Sequence, residues 1–232
     1  MEAIILAGGL GTRLQGVIGA YPKCMAGVNG RPFLAYILEY LSRQGCTKAI
    51  LSLGFKHEVV IEWLGQHNLP FPCEWVIEYE PLGTGGGIQL AMKQATTSNV
   101  VVLNGDTLFD IDLSALANFH MEHHAETTIA LREMHHFERY GVVNTDNTDA
   151  IISFAEKRYM EHGLINGGVY LVNRDAFLSR NLPQKFSFEK EYLEQFVAQG
   201  RFFGSRSQDY FIDIGIPEDY AKVQDDFKKM FP

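Results

Sequence analysis

The chain has 232 residues, of which 46% are hydrophobic and 21% are charged, which is enough for a folded protein with a sizeable core. Its formal net charge of −8 argues against a nucleic-acid partner, although a small phosphorylated ligand would need only a few well-placed cations. The sequence shows no signal peptide and no apolar run near the ~20 residues of a membrane span, so we expect a cytoplasmic protein without a membrane partner.

The first element is a short apolar strand that runs directly into a glycine-rich loop. Residues 3–7 are small or apolar, and residues 8–11 contain three glycines ahead of Arg13. Glycines let backbone N–H groups converge on an anion with no Cβ in the way. Arg13 and Lys23 can neutralise the remaining charge, so the stretch predicts a phosphate-binding loop. A dinucleotide-binding GxGxxG loop is disfavoured because Leu14 replaces the third glycine.

Strand and helix signals then alternate as far as residue 103. The strand-like runs are continuously apolar, which is typical of a parallel sheet covered by helices on both faces. Ligands of such sheets bind at the carboxyl ends of the strands, so we expect the residues after Ala7, Tyr79 and Leu103 to cluster. The predicted strands cover residues 48–53, 74–79 and 99–103, and the predicted helices cover residues 32–44, 56–65 and 86–95.

The second half shows clearer alternation of polar and apolar residues, which predicts antiparallel additions to the sheet. We therefore predict an α/β fold of three layers, with a mixed, mainly parallel, Rossmann-like sheet flanked by helices, in one domain over residues 1–232. A helix is expected near residues 113–123, further helices after Ser187 and from Pro217, and strands over residues 127–132, 140–144, 151–156 and 167–173.

Two aspartates at strand-like runs are candidate metal ligands. Asp106 follows the apolar run at 99–103, and Asp213 lies between apolar neighbours. Carboxylate oxygens suit Mg²⁺, and a carboxylate inside an apolar pattern is costly unless it is paired or ligated. The alternatives are an Asp106 that caps the next segment and an Asp213 that faces water on an edge strand.

Three other features can each be interpreted either as part of a functional site or as an ordinary turn or surface. Residues 80–87 carry four glycines within five positions, which favours close approach of the backbone to a ligand over a merely flexible turn. The pair Glu156-Lys157, taken alone, is typical of solvated surface. The histidines show no ordered ligand set with a fitting carboxylate, so a polar surface is favoured over a metal site. These histidines are His120, His123, His124, His135 and His136.

Six motifs in order resemble the signature of the sugar-1-phosphate nucleotidyltransferases, over nearly the whole chain. The stretches around Asn166 and Asp213 are similar to the heptose 1-phosphate guanylyltransferase branch of that family. The residue types directly after Lys23 differ from those of many relatives, which have proline or leucine types where this chain has Cys24-Met25-Ala26-Gly27. Lys23 itself is present. The motifs are Leu6-Ala7-Gly8-Gly9-Leu10-Gly11-Thr12-Arg13-Leu14 with Pro22-Lys23, Pro81-Leu82-Gly83-Thr84-Gly85-Gly86, Asn104-Gly105-Asp106, Tyr140-Gly141-Val142, Glu156-Lys157 and Asp213.

The resemblance implies a nucleotide-diphospho-sugar transferase type of fold, with a nucleotide-binding half at about 1–110 and a sugar-phosphate-binding half at about 111–232. It implies that a sugar 1-phosphate attacks the α-phosphorus of a nucleoside triphosphate, and that Mg²⁺ on Asp106 and Asp213 assists. Arg13, Lys23 and Asp106 would be catalytic. The implied nucleotide-binding residues are Leu6, Ala7, Gly8, Gly9, Gly11, Thr12, Arg13, Glu80, Gly83 and Thr84. The implied sugar-phosphate-binding residues are Gly141, Glu156, Lys157, Asn166 and Gly167.

Glu80 suggests which base the triphosphate carries. Guanine offers two adjacent donors, N1–H and the N2 amino group, and a carboxylate can accept both, whereas uracil and thymine would present oxygens to it. Relatives that use uridine or thymidine nucleotides often have Gln at this position, so Glu80 favours GTP. The alternative is that Glu80 points to solvent and that backbone groups read the base.

We therefore expect an enzyme that uses GTP and a sugar 1-phosphate, with heptose 1-phosphate preferred. Mannose 1-phosphate guanylyl transfer and uridylyl or thymidylyl transfer are the rival reactions. A non-catalytic nucleotide-sugar-binding subunit is the rival from another class, and the presence of Arg13, Lys23, Asp106 and Asp213 argues against it. The sequence leaves a homo-oligomer open.

Overall fold

The computed structural model describes residues 1–9, 14–19, 21–199 and 201–231. The predicted site residues Gly11, Thr12 and Arg13 therefore lie outside the described residues. The described strands are β1 (Glu2–Ala7), β2 (Gly27–Val28), β3 (Arg31–Pro32), β4 (Lys48–Leu53), β5 (Cys73–Ile77), β6 (Asn99–Asn104), β7 (Thr107–Phe109), β8 (Thr127–Phe137), β9 (Val142–Thr145), β10 (Ile151–Ala155), β11 (Met160–Asn173), β12 (Phe202–Ser207) and β13 (Phe211–Asp213).

The helices are mostly amphipathic segments that lie between these strands. The α-helices are α1 (Gln15–Ile18), α2 (Phe33–Arg43), α3 (His57–Gln66), α4 (Gly83–Met92), α5 (Leu113–Glu122), α6 (Arg174–Leu178) and α7 (Pro217–Met230). Short 3₁₀ helices cover Lys23–Met25 and Val197–Gln199, and a π-helix covers Phe188–Glu194. Within the described ranges, no helix combines the length and the apolar character needed to cross a bilayer.

A nine-stranded mixed sheet forms the centre of the molecule. Its main path runs β10-β9-β11-β6-β1-β4-β5, and β8 and β12 extend it beside β11. Strands β6, β1, β4 and β5 are parallel, as the apolar runs predicted. The second half adds β8, β9, β10 and β11 in antiparallel pairs, which confirms the predicted antiparallel additions, while β12 lies parallel to β8.

Apolar residues on alternate positions of β1 pack into two different cores. Ala3 and Ile5 belong to a cluster with side chains from α2, α3, α5 and α7, whereas Ile4 belongs to a cluster with side chains from α4, α6 and the π-helix. Because successive side chains of a strand point to opposite faces, each core lies on one face of the sheet. The three-layer arrangement expected from the sequence is therefore confirmed.

The second glycine-rich stretch differs from its prediction in one respect. Helix α4 begins at Gly83, not near residue 86, so the glycines lie in its first two turns. A Cβ at Gly85 would come within 2.1 Å of the Phe186 ring, and one at Gly86 within 2.4 Å of the Gln184 carbonyl oxygen. A Cβ at Gly83 would likewise lie 2.5 Å from the Phe186 carbonyl oxygen. The absence of side chains here lets α4 pack closely against the 184–188 segment, so three of the four glycines serve packing inside the protein.

Candidate active site

The carboxyl ends of the parallel strands open into a cavity of about 1220 Å³. Residues directly after β1, β4, β5 and β6 line one side, and residues from β11, β13 and the 139–141 loop line the other. A parallel sheet places its ligand at this edge because the strand ends and the following turns all converge there.

Asp106 and Asp213 meet at the centre of this cavity, with Lys23 between them. The Lys23 ammonium lies 2.5 Å from an Asp106 oxygen and 3.5 Å from Asp213 Oδ1. All three side chains are partly buried, with 16% of Lys23 and 25% of Asp213 exposed. Lys23 reaches this position from a 3₁₀ turn that follows Pro22.

A short strand pair explains why two aspartates 107 positions apart become neighbours. β13 pairs antiparallel with β7, and the register sets Asp213 opposite Thr107, the residue after Asp106. The Ile214 amide donates to the Asp106 carbonyl oxygen at 3.0 Å, and the Gly215 amide donates to Asp213 Oδ1 at 2.8 Å. The first bond holds the two aspartates side by side, and the second orients the Asp213 carboxylate.

The pKa of Asp213 is raised above its ordinary value of 3.8. Burial is the main cause, the nearby Asp106 carboxylate adds to it, and Lys23 partly opposes it. Two carboxylates that face one cation at a partly buried position form a site of concentrated negative charge. Such a site can hold a divalent cation through oxygen ligands.

Gly8 and Gly9 continue β1 into the cavity wall, as the phosphate-loop prediction requires. Gly8 is closely packed, since an added Cβ would lie 2.7 Å from Glu78 Oε1, while no heavy atom of the described residues lies within 4 Å of one added at Gly9. Leu6 and Ala7 also line the cavity.

The sugar-phosphate residues predicted in the second half are brought to the opposite wall, with one exception. Gly141, Lys157, Asn166 and Gly167 line the cavity, whereas Glu156 is exposed and does not belong to the lining. Asn166 is held rigidly because its Nδ2 donates to the Tyr170 hydroxyl at 2.8 Å and its Oδ1 accepts from the Gly168 amide at 2.9 Å.

The predicted nucleotide residues after β5 are divided between the cavity and the solvent. Gly83 and Thr84 line the cavity, and Glu80 is exposed outside the lining, between the lining residues Tyr79 and Pro81. The Thr84 hydroxyl donates to Glu189 Oε2 at 2.8 Å and accepts from the Phe188 amide at 2.9 Å. Thr84 thus ties the start of α4 to the π-helix.

Several lining residues were not among the predicted site residues. β5 ends at Ile77, so Glu78 and Tyr79 are the first residues beyond it, two positions earlier than the predicted strand end. Lys56 follows β4 and lines the cavity. The strand itself was predicted correctly, but the residues after its carboxyl end were not included among the predicted site residues. The rule that ligands bind after parallel strands would have found all three. Arg139 also lines the cavity and pairs with Asp219 at 2.6 Å, and the sequence carries no local signal for this contact.

Comparison with known proteins shows to which family this chain belongs. The model of the nucleotidyl transferase family matches residues 2–230. The D-glycero-alpha-D-manno-heptose 1-phosphate guanylyltransferase of Aneurinibacillus thermoaerophilus is 48% identical, covering 97% of both chains, and that of Campylobacter jejuni is 47% identical, covering 95% of this chain and 97% of the other. HddC from Yersinia pseudotuberculosis, solved in complex with GMP-PN, is similar in structure, with a TM-score of 0.88, 37% identity and coverage of 97% and 99% of the two chains. The match over nearly all of both chains shows that this chain belongs to the nucleotidyl transferase family.

Proposed function

We propose that the protein transfers a guanylyl group from GTP to D-glycero-α-D-manno-heptose 1-phosphate, giving GDP-heptose and pyrophosphate. The observation that carries the reaction class is the Asp106–Lys23–Asp213 arrangement in a cavity that begins at a glycine-rich strand end. The choice of sugar and base is supported by the 48% and 47% identity to the two heptose 1-phosphate guanylyltransferases.

In the proposed reaction, a phosphate oxygen of the sugar 1-phosphate attacks the α-phosphorus of GTP. The new P–O bond forms as the bond between the α-phosphorus and the bridging oxygen breaks, and pyrophosphate leaves with the electron pair. This displacement needs alignment and charge neutralisation rather than a covalent nucleophile on the protein. A cavity lined by Lys23 and the glycine-rich strand end on one side and by the proposed sugar-binding residues on the other would supply both.

The nucleotide half would hold the triphosphate. We assign the backbone amides of Gly8, Gly9 and Gly11, with Arg13, to the phosphates, and assign Leu6, Ala7 and Thr12 as further nucleotide-binding residues. Lys23 would move from its two carboxylates toward the reacting phosphates, because their negative charge competes for the same ammonium.

Asp106 and Asp213 fit a divalent ion, and we infer that it is Mg²⁺. Their oxygens converge on one cation in this structure, the Lys23 ammonium, which shows that a positive charge is accommodated between them. An all-oxygen ligand set matches Mg²⁺, which binds through one or two carboxylates together with substrate phosphates. When bound, the ion would supply charge neutralisation at the α-phosphate.

The sugar half would position the attacking phosphate. Lys157 would pair with the sugar phosphate, and the Gly141 amide, Asn166 and Gly167 would contact the sugar. Asn166 is held by two internal hydrogen bonds, so its orientation is preset before the sugar arrives. Glu156 is exposed outside the lining, so its assignment to the sugar hydroxyls stays a prediction.

Two glutamates near the nucleotide wall are candidates for reading guanine, and the family resemblance points to Glu80. Glu78 lines the cavity, but its oxygens already accept from the Ser52 hydroxyl at 2.8 Å and the Leu82 amide at 3.2 Å. Glu80 lies next to lining residues with its side chain exposed. We therefore keep Glu80 as the proposed partner of the guanine N1–H and N2 donors, with Gly83 and Thr84 beside it. Glu80→Gln should shift the GTP/UTP preference, and an unchanged ratio would mean that Glu80 does not read the base.

A substrate panel tests the proposal directly. Heptose, mannose and glucose 1-phosphates are each combined with the four nucleoside triphosphates, and pyrophosphate release is measured. Heptose 1-phosphate with GTP should give the highest kcat/KM. A higher value for mannose 1-phosphate would favour the rival represented by the mannose-1-phosphate guanylyltransferase of Mycobacterium tuberculosis, which is 32% identical to this chain.

Two aspartate variants test whether the protein catalyses the reaction or only binds the nucleotide sugar. Asp106→Asn should lower kcat by roughly 10²-fold or more, because a charge contact aligned with the developing transition state is lost. Asp112→Asn is the matched control, because it makes the same change at the N-cap of α5, where Asn also caps well. Equal kcat values for Asp106→Asn and Asp112→Asn would contradict the metal assignment. No turnover by the wild type with any combination of sugar 1-phosphate and nucleoside triphosphate would favour a nucleotide-sugar-binding subunit.

The cytoplasmic location of the protein stays a prediction from the sequence.

A further inference from the structure

A group of side chains of types that can ligate a metal lies on strands β8 and β11, apart from Asp106 and Asp213. The antiparallel register places His135 directly opposite His162, and their ring centroids are 4.8 Å apart. Glu133 lies two residues before His135 and therefore on the same face of the strand. His162 Nε2 is 2.5 Å from Glu133 Oε1, and one ligand atom from each of the three residues lies within 4.8 Å of the others.

The carboxylate of this group is already oriented. Gln208 donates from Nε2 to Glu133 Oε2 at 2.7 Å, which leaves Oε1 directed at His162. Outer hydrogen bonds of this kind fix the direction of a ligating carboxylate in metal sites. The three side chains also stand on paired strands rather than on a loop, so their Cα positions are held by the ladder.

We propose that Glu133, His135 and His162 form a binding site for a divalent first-row transition ion of the zinc class. Two imidazoles and one carboxylate are a common donor set for zinc, at metal–ligand distances of about 2.0–2.2 Å. Ligand atoms around a tetrahedral ion of that size stand about 3.3 Å apart, so small side-chain rotations from the present spacing suffice. Cross-strand neighbours are suited to this because their Cβ atoms are only about 5 Å apart.

The donor chemistry separates this site from the one in the cavity. Imidazole nitrogen selects zinc, nickel, cobalt or copper over Mg²⁺, whereas the oxygens of Asp106 and Asp213 suit Mg²⁺. A bound ion would cross-link β8 to β11, and β11 carries Asn166 four residues beyond His162. A bound ion would therefore hold together the strand pair that supports the sugar half, and none of its three ligands lines the cavity.

Isothermal titration calorimetry with zinc chloride in excess Mg²⁺ tests the proposal on the full chain. The wild type should bind one equivalent of zinc, and His162→Ala and Glu133→Gln should each weaken that binding at least tenfold. His67→Ala is the matched control, because His67 is an exposed histidine stacked on Trp63 at the end of α3. It should titrate like the wild type. Far-UV circular dichroism and unchanged turnover establish that each variant is folded.

Thermal unfolding supplies the second readout. Zinc should raise the Tm of the wild type and of His67→Ala, since an ion that binds only the folded protein stabilises it, and should leave the Tm of His162→Ala unchanged. Equal zinc binding by wild type and His162→Ala, or no one-to-one binding by the wild type, would overturn the proposal and leave an ordinary ion pair between His162 and Glu133.

Discussion

At Asp213 we expect the proposed metal-binding role and the stability of the fold to oppose each other. Its carboxylate is partly buried and lies beside that of Asp106, and both effects raise its pKa. A carboxyl whose pKa is raised by folding binds more protons in the folded state than in the unfolded one over the interval between its ordinary and raised pKa. The free energy of unfolding therefore falls as pH rises through that interval, and the ionised group reduces stability above it.

We expect Asp213→Asn to raise the Tm at neutral pH in EDTA and to lower turnover by roughly 10²-fold. The gain in Tm should shrink as pH falls and disappear below 3.8, the ordinary carboxyl value, because Asp213 is then protonated in both the folded and the unfolded state. Thermal unfolding across pH measures this. The control Asp225→Asn changes a carboxylate that is 79% exposed and should leave both quantities nearly unchanged. A lower Tm for Asp213→Asn at neutral pH would contradict the argument.

Tyr79 is a second residue with a testable role. It lines the cavity beside Glu78, yet 87% of its surface is exposed, which is unusual for a large aromatic ring. A flat ring at the cavity edge can stack on a base, and such stacking is worth about 1–3 kcal/mol by alanine substitution. Tyr79→Ala should raise KM for GTP by about 5- to 150-fold and leave KM for the sugar phosphate nearly unchanged. Tyr79→Phe should keep the wild-type KM, and a loss in both variants would rule out stacking.

At the scale of the element, the glycines of α4 determine how closely the helix packs. A Cβ at Gly85 would overlap the Phe186 ring at 2.1 Å, so Gly85→Ala should cost about 1–3 kcal/mol in the free energy of unfolding by overpacking. Gly65→Ala in α3 is the matched control, since no heavy atom of the described residues lies within 4 Å of its added Cβ. It should stabilise by about 0.5–1 kcal/mol through helix propensity.

Urea denaturation of the two glycine variants measures this difference. Adding Phe186→Leu to Gly85→Ala should recover part of the lost stability, because it removes the ring that the new methyl group meets. A Gly85→Ala protein as stable as the wild type would show that α4 and the 184–188 segment can move apart at little cost.

At the scale of the whole molecule, one sheet joins the two halves of the chain. β11 from the second half pairs with β6 from the first over Val169–Asn173, in the middle of the sheet. We therefore expect both halves to unfold in a single transition in urea. Trp63 and Trp75 both lie in the first half, so their fluorescence reports that half while far-UV circular dichroism reports the whole chain. Coincident transitions are expected, and separated midpoints would indicate two independent domains.

Local sequence patterns predicted the secondary-structure elements well, but they did not predict which distant residues make close contacts. The apolar run Lys48–Leu53 gave a strand with the observed bounds, because a buried parallel strand leaves a continuous apolar signature. The glycines near residue 85 were interpreted as ligand-facing, since a local pattern shows that close approach is needed but not what approaches. Here the neighbour of Gly85 is Phe186, about 100 positions away.

The sequence by itself determined the layered α/β fold, the family and the strand end at Gly8, because these depend on periodicity and short-range motifs. Only the tertiary structure decided which distant side chains meet. The β7–β13 register brings Asp213 to Asp106 and Lys23, and the β8–β11 register brings His162 to His135. A strand register is set by pairing across the fold, and a shift of one residue would turn these side chains to the opposite face.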